Sequence, residues 1–187
     1  LSGNVIMVKL SASKKGMITC NAQMTSPQQD VSVRSEGDEI VLSGISGWHE
    51  GLKGKVQFTG RATAQLKGGT IRSKDGVLQI KDADEATIFL TIATNFKKYN
   101  DISGNDTLLS ESTLRRALDS GFDRLKKEHV ALYKEQFDRV SIDLGTNDEQ
   151  EKKDTETRIK EFKTTAADPG LVANYFQFGR YLLISSS

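Results

Sequence analysis

The spacing of the apolar residues changes once along this chain, and the change divides what each half can become. Up to about residue 95 they recur at every second position or in short runs. Val56, Phe58, Gly60, Ala62, Ala64 and Leu66 form one long row, opposite Gln57, Thr59, Arg61, Thr63 and Gln65. A period of two is the signature of a strand with two different faces. Val5–Leu10, 17–22, 31–33, 39–42, 70–72, 77–80 and 86–93 are further strand-length segments. Gly37-Asp38, Gly68-Gly69 and Asp75-Gly76 lie between successive segments, where tight hairpins need them. Short strands in hairpin succession predict a mainly antiparallel β-sandwich over 1–95.

After about residue 106 the spacing becomes helical. Leu114, Leu118, Phe122, Leu125, Leu132 and Phe137 mostly recur at steps of three and four, with a gap near His129. Gly121 is placed to split this stretch into two helices. Val140 to Leu144 alternates like a strand and stops at Gly145, so 139–144 is expected to return as a strand. Thr146 to Lys153 is polar and reads as an exposed loop, and Thr155 to Phe162 as a short helix with Ile159 and Phe162 inward. Asp168-Pro169 is a helix start: the aspartate can cap and proline fits the first turn. The helix that follows is apolar on nearly every side, from Leu171 and Val172 through Tyr175, Phe176, Phe178 and Tyr181 to Ile184. Such a helix needs neighbours on several faces. Only Ser185-Ser186-Ser187 comes after it, so the sequence is expected to stop inside a larger helical domain. Without those neighbours the helix is expected to dock on the sandwich or to self-associate.

Bulk chemistry excludes several classes. Net charge is +1, from 26 basic and 25 acidic residues, which argues against a nucleic-acid surface or a polybasic membrane surface. No apolar run approaches the ~20 residues of a membrane span. Cys20 is the only cysteine and lies in an alternating stretch, where it reads as a small core residue. One cysteine and two histidines, His49 and His129, leave no basis for a Cys- or His-based metal site, and no metal or cofactor is expected. There is no phosphate-binding glycine loop and no nucleophile elbow.

One loop stands out as a candidate site. Trp48-His49-Glu50 sits between Gly47 and Gly51 at an expected sheet end. The single tryptophan could lie against a sugar ring, while His49 and Glu50 hydrogen-bond its hydroxyls. The structural alternative is a loop anchor, with Trp48 covering the sandwich edge. The acidic clusters Asp82, Asp84, Glu85 and Glu149, Glu151 read as solvated turns. Sequence proximity does not supply the ~5–9.5 Å carboxyl separation that a glycosidase needs. Asn105-Asp106-Thr107 has the form of a glycosylation sequon.

Three segments together resemble glycoside hydrolase family 95, the α-L-fucosidase type. The first runs from Ala83-Asp84-Glu85 through Ile88-Phe89-Leu90 to Ala93-Thr94-Asn95-Phe96. The second comprises His129, Tyr133 and Phe137-Asp138-Arg139-Val140-Ser141-Ile142-Asp143-Leu144-Gly145. The third is Tyr175-Phe176-Gln177-Phe178-Gly179-Arg180-Tyr181-Leu182-Leu183-Ile184, continuing through the serines. Their order and spacing carry the resemblance along essentially the whole chain, most weakly before residue 50.

The resemblance implies an N-terminal β-super-sandwich, a helical linker, an (α/α)6 barrel and a C-terminal β domain. Residues 1–95 would be the later part of the sandwich, 96–165 the linker and 166–187 the start of the barrel. It implies an inverting exo-glycosidase acting on α-1,2-linked L-fucose, or in some members on α-L-galactosides. The general acid would be a glutamate, and asparagines helped by an aspartate would hold the attacking water. All of these would lie beyond the segment matching Gly179–Ser187, so no catalytic residue is assigned in this chain, and by itself it is expected to be inactive. The expected partners are the rest of the same polypeptide and a fucosylated oligosaccharide or glycan. The expected compartment is periplasmic or secreted. The competing reading is a freestanding carbohydrate-binding or structural sandwich module, with the Trp48 loop as its whole site.

Overall fold

A computed structural model describes residues 4–28 and 30–186. The expected Ser187 end of the last helix lies outside the described residues. The chain forms two compact units that divide between Glu128 and His129. The architecture is β plus α, as expected: among the described residues, eight strands in two antiparallel sheets are followed by five helices.

The larger sheet has the order β1-β8-β5-β4-β3, with β1 Val5–Ser11, β8 Glu85–Thr94, β5 Gln57–Lys67, β4 Glu39–Ile45 and β3 Ser32–Glu36. The smaller has the order β2-β7-β6, with β2 Ile18–Gln23, β7 Val77–Ala83 and β6 Thr70–Lys74. The connections follow from their residues. Gly68 and Gly69 both have positive φ and do not close the expected hairpin: they carry the chain from β5 in the larger sheet to β6 in the smaller. A side chain at Gly69 would sit 2.3 Å from the Lys81 carbonyl oxygen, so the position admits only glycine.

The long alternating row of β5 faces the smaller sheet. Ala62, Ala64 and Leu66 meet Ile40, Leu78, Ile80, Ile18 and Ala83 there, and Cys20 packs against the same core. The opposite row is not a solvent face. Thr59, Arg61 and Thr63 are buried. Helix α1, Asp106–Ser120, packs against β8 and β5 on that side. Polar strand residues survive there because the helix supplies partners. Thr59 Oγ1 donates to Asp106 Oδ2 at 2.5 Å, Thr91 Oγ1 to the Ser110 carbonyl at 3.1 Å, and Gln65 Nε2 to the Leu118 carbonyl at 3.0 Å. Arg61 Nη1 reaches Glu36 at 2.9 Å and Glu39 at 3.0 Å, while its buried Nε has no partner among the described residues. The result is three layers, with β8 in the middle one.

Gly121 ends α1 and gives way to α2, Phe122–Phe137, as its position in the sequence suggests. Leu114, Ala117 and Leu125 close around Phe89. The expected helical face weakens beyond the His129 gap, where Leu132 is exposed.

The second unit then departs from expectation. Residues 139–144 do not return as a strand; Arg139 lies in a turn and 140–146 are irregular. A strand needs an edge to pair with, and 129–186 contain only helical and irregular backbone. Local bonds take the place of a ladder here: the Val140 carbonyl accepts from Arg180 Nη1 at 2.6 Å, and the Gly145 N–H donates to Asp143 Oδ1 at 2.9 Å. The polar stretch after it contains one short helical turn, α3, Asp148–Glu151. Helices α4, Thr155–Thr165, and α5, Pro169–Ser186, follow. Ile159 is exposed rather than inward.

Phe89 is fully buried in the middle layer, so Phe89→Ala is expected to cost about 3–5 kcal/mol of stability. Ile92→Ala, on the same strand but exposed, is expected to cost within about 0.5 kcal/mol. Urea denaturation of the two variants checks both.

Candidate functional site

The Trp48 loop joins β4 to β5 over residues 46–56. Its base is closed by Ser46 N–H donating to the Val56 carbonyl at 2.8 Å, with the Val56 N–H returning to Ser46 Oγ at 3.2 Å. Its tip is closed by His49 and Leu52, which exchange backbone hydrogen bonds at 3.0 and 2.9 Å around Glu50 and Gly51, both at positive φ. Gln28 Oε1 accepts from the Gly47 N–H at 2.6 Å and ties the loop to the β2–β3 connection. Gly54 lies so close to Ser46 that a side chain would stand 2.0 Å from its carbonyl oxygen. These contacts fix the loop from its base.

The side chains at the tip project outward. Trp48 is 61% exposed and does not cover the sandwich edge as an anchor would. The His49 and Glu50 side chains are also exposed, with Nε2 and Oε1 4.0 Å apart, a separation that contributes little in water. Chemically the tip offers an indole face, one N–H donor, an imidazole and a carboxylate on a braced loop. That set can hold a sugar ring. It has no second carboxyl group to share in bond cleavage.

The other acidic clusters are occupied structurally. Glu85 pairs with Lys67 at 2.8 Å and Lys9 at 3.2 Å, and Asp84 accepts from the Gly16 N–H at 2.7 Å. Asn105 caps α1 by accepting from the Leu108 N–H at 2.9 Å. Among the described residues, no group of three or more His, Cys, Asp or Glu side chains could hold a metal ion. No helix among them is long and apolar enough to cross a membrane.

In the second unit, sequence reasoning identified Asp168 as a cap but missed its partner. Asp168 Oδ1 accepts from the Leu171 N–H at 2.9 Å. Arg158, on α4, also holds both carboxylate oxygens, each at 2.8 Å. Both residues are buried. This fork joins α4 to the start of α5. The signal was faint: an arginine on a short helix looks like its wet face. Arg180, within the third resembling segment, has a similar role. Its guanidinium donates to the carbonyls of Phe137 at 2.8 Å and Val140 at 2.6 Å, and stacks 4.8 Å from the Phe137 ring centre. It thereby satisfies carbonyls at the end of α2 that have no partner within the helix.

No residue of α5 is buried. An apolar cleft of about 610 Å3 runs between α4 and α5, lined by Ile159, Phe162, Leu171, Val172, Tyr175 and Phe178 among others.

Comparison with known proteins gives these units a class. Residues 2–99, more than half of the chain, match the N-terminal domain of glycosyl hydrolase family 65. Residues 121–187 match the glycosyl hydrolase family 95 catalytic domain. A match of the first kind followed in sequence by one of the second makes this a glycoside hydrolase-related chain. The chain belongs to the glycosyl hydrolase family 65 N-terminal domain family over residues 2–99, and the segment that follows is of the family 95 type. Alpha-L-fucosidase 2 of Arabidopsis thaliana is 34% identical to it over 155 residues, which cover 74% of this chain and 17% of that relative. The chain thus spans about a sixth of the length of the relative it matches.

The Arg158 hydrogen bond, aided by the Leu171 N–H and opposed by burial, holds the Asp168 carboxyl below the usual aspartate range. Its folded value is therefore below its unfolded value of about 3.9. The stabilisation is complete above that value and is lost as pH falls through the depressed folded one. Helicity followed by circular dichroism is expected to be insensitive to this pair from pH 7 to 5 and to fall below about pH 4. Asp168→Asn is expected to weaken the α4–α5 junction at pH 7 and to remove this part of the acid loss.

Proposed function

We propose that this chain is the sandwich-and-linker portion of a glycoside hydrolase that releases α-1,2-linked L-fucose, or α-L-galactose, with inversion. Within the whole enzyme it braces the catalytic barrel. In this reading 1–95 are the later part of the sandwich, 96–165 connect it to the barrel, and 166–187 begin the barrel. The resemblance matches neither the acid nor the water-holding groups to any position in 1–187. The chain alone therefore binds and supports but does not cleave. The compartment that fits this reading is periplasmic or secreted, where fucosylated glycans are met.

The observation that carries the proposal is α5. It presents Tyr175, Phe178, Tyr181, Leu182 and Leu183 to solvent along one exposed helix. Soluble monomers rarely leave such apolar surface uncovered. Further helices of a barrel are the cover that suits it. The alternative, a freestanding carbohydrate-binding module, has the outward Trp48 in its favour but gives α5 no role. In the whole enzyme the Trp48 loop would lend an aromatic contact to the glycan, with His49 and Glu50 hydrogen-bonding its hydroxyls.

The test compares this chain with a protein extended to the length of its relatives, assayed for L-fucose release from an α-1,2-fucosylated oligosaccharide. Only the extended protein is expected to release sugar. An extended protein inert on α-1,2-fucosides and on α-L-galactosides would overturn the assignment. In the extended protein, Trp48→Ala is expected to raise KM more than it lowers kcat, since an aromatic sugar platform binds substrate and transition state alike.

A further inference from the structure

A polar cleft of about 290 Å3 opens at one end of the sandwich, within the first unit. Its walls are the ends of β3, β4 and β5 and the first turn of α1. Register builds it: Ser32 lies opposite Ser43 and Ser43 opposite Thr59, so three hydroxyl residues cross three strands on one face. Gln57 extends that face from the start of β5, while Asp106, Thr107 and Asp30 complete the lining.

The arrangement is held in advance of any ligand. Thr59 fixes Asp106 through Oδ2, and Arg34 Nη1 fixes Ser43 Oγ at 3.0 Å. Other polar atoms of the lining remain open. Among the described residues, Asp106 Oδ1, Ser32 Oγ and the Gln57 side-chain amide make no hydrogen bond, and none of the three is sealed from solvent.

The lining selects a chemistry. Among the described residues no lysine or arginine lines the cleft, Arg34 reaches it only through Ser43 Oγ, and the two lining carboxyl groups disfavour anions. Hydroxyls, an amide and a carboxylate both donate and accept, as a neutral polyol requires. The volume lies just below the range of small-ligand sites, about 300–1,000 Å3, which limits the ligand to a single sugar unit. The Trp48 loop springs from this rim, since Ile45 and Gln57 line the cleft and are the last residue of β4 and the first of β5.

We propose that this cleft is a non-catalytic binding site for the terminal neutral monosaccharide unit of a glycan. The proposal goes beyond the hydrolase reading and needs no barrel, so it stands or falls on this chain alone. The test is a titration of the 15N-labelled 187-residue chain with L-fucose, with D-galactose and, separately, with calcium chloride. Saturable shifts at the backbone amides of Ser32, Ser43, Gln57 and Thr107 are expected with at least one of the sugars. Gln57→Ala and Thr107→Ala, each retaining the native spectrum elsewhere, are expected to weaken binding at least about fivefold, as loss of a hydrogen-bonding group does. Trp48→Ala is expected to leave the cleft shifts in place. Three results would each overturn the proposal: sugar shifts that do not saturate, saturable shifts confined to Trp48–Leu52, or a response to calcium alone.

Discussion

The structure depends on covering one sheet on both faces. β8 and β5 run through the middle layer, with the smaller sheet on one side and α1 on the other. The two faces are covered by different physics. On the sandwich side Ala62, Leu78, Ile80 and Ile40 exclude water and gain roughly 25 cal/mol for each Å2 of apolar area removed from it. On the helix side the strands present threonines and an arginine, and the bonds made by Thr59, Thr63, Thr91 and Arg61 offset the cost of burying them. Thr59 with Asp106 and Thr91 with Ser110 are therefore what allow α1 to lie on the sheet at all. Phe89 adds the apolar anchor between them.

The second unit is held differently. It has little apolar core of its own, and two arginine forks define its geometry. Arg158 closes on Asp168 at the start of α5, and Arg180 closes on the carbonyls at the end of α2. Planar guanidinium groups suit both tasks, because they offer several donors in fixed directions. Polar fixing of this kind orders the helices without covering them, and α5 keeps its apolar surface exposed. A helix from a catalytic-domain segment would gain its burial from neighbours in the same domain.

Most of the fold was legible in the sequence. The eight strands of the described residues fall on segments legible as alternating rows or short apolar runs, and Gly121 and Asp168-Pro169 mark helix boundaries by residue chemistry alone. Residues 139–144, irregular rather than a strand, are the exception. Val140, Ile142 and Leu144 alternate correctly, but a strand is a property of two segments, and the sequence does not display the missing edge. The polar row of β5 was legible as a second face but not as a buried one, since its cover comes from a helix about 50 residues later. The candidate loop was legible because a lone tryptophan between glycines is conspicuous. The cleft beside it was not, because its residues are ordinary serines, threonines and a glutamine brought together only by register.

Hydrogen exchange along α5 tests the central claim most directly. On the proposed reading, this helix is a barrel element whose apolar faces are covered by further polypeptide of the same protein. Its amides in this chain should exchange by local opening, much faster than those of β8. In a protein extended to the length of its relatives, the amides from Tyr175 to Leu183 should slow to the rate of the core strands. Equal exchange of α5 in the two proteins would contradict the account.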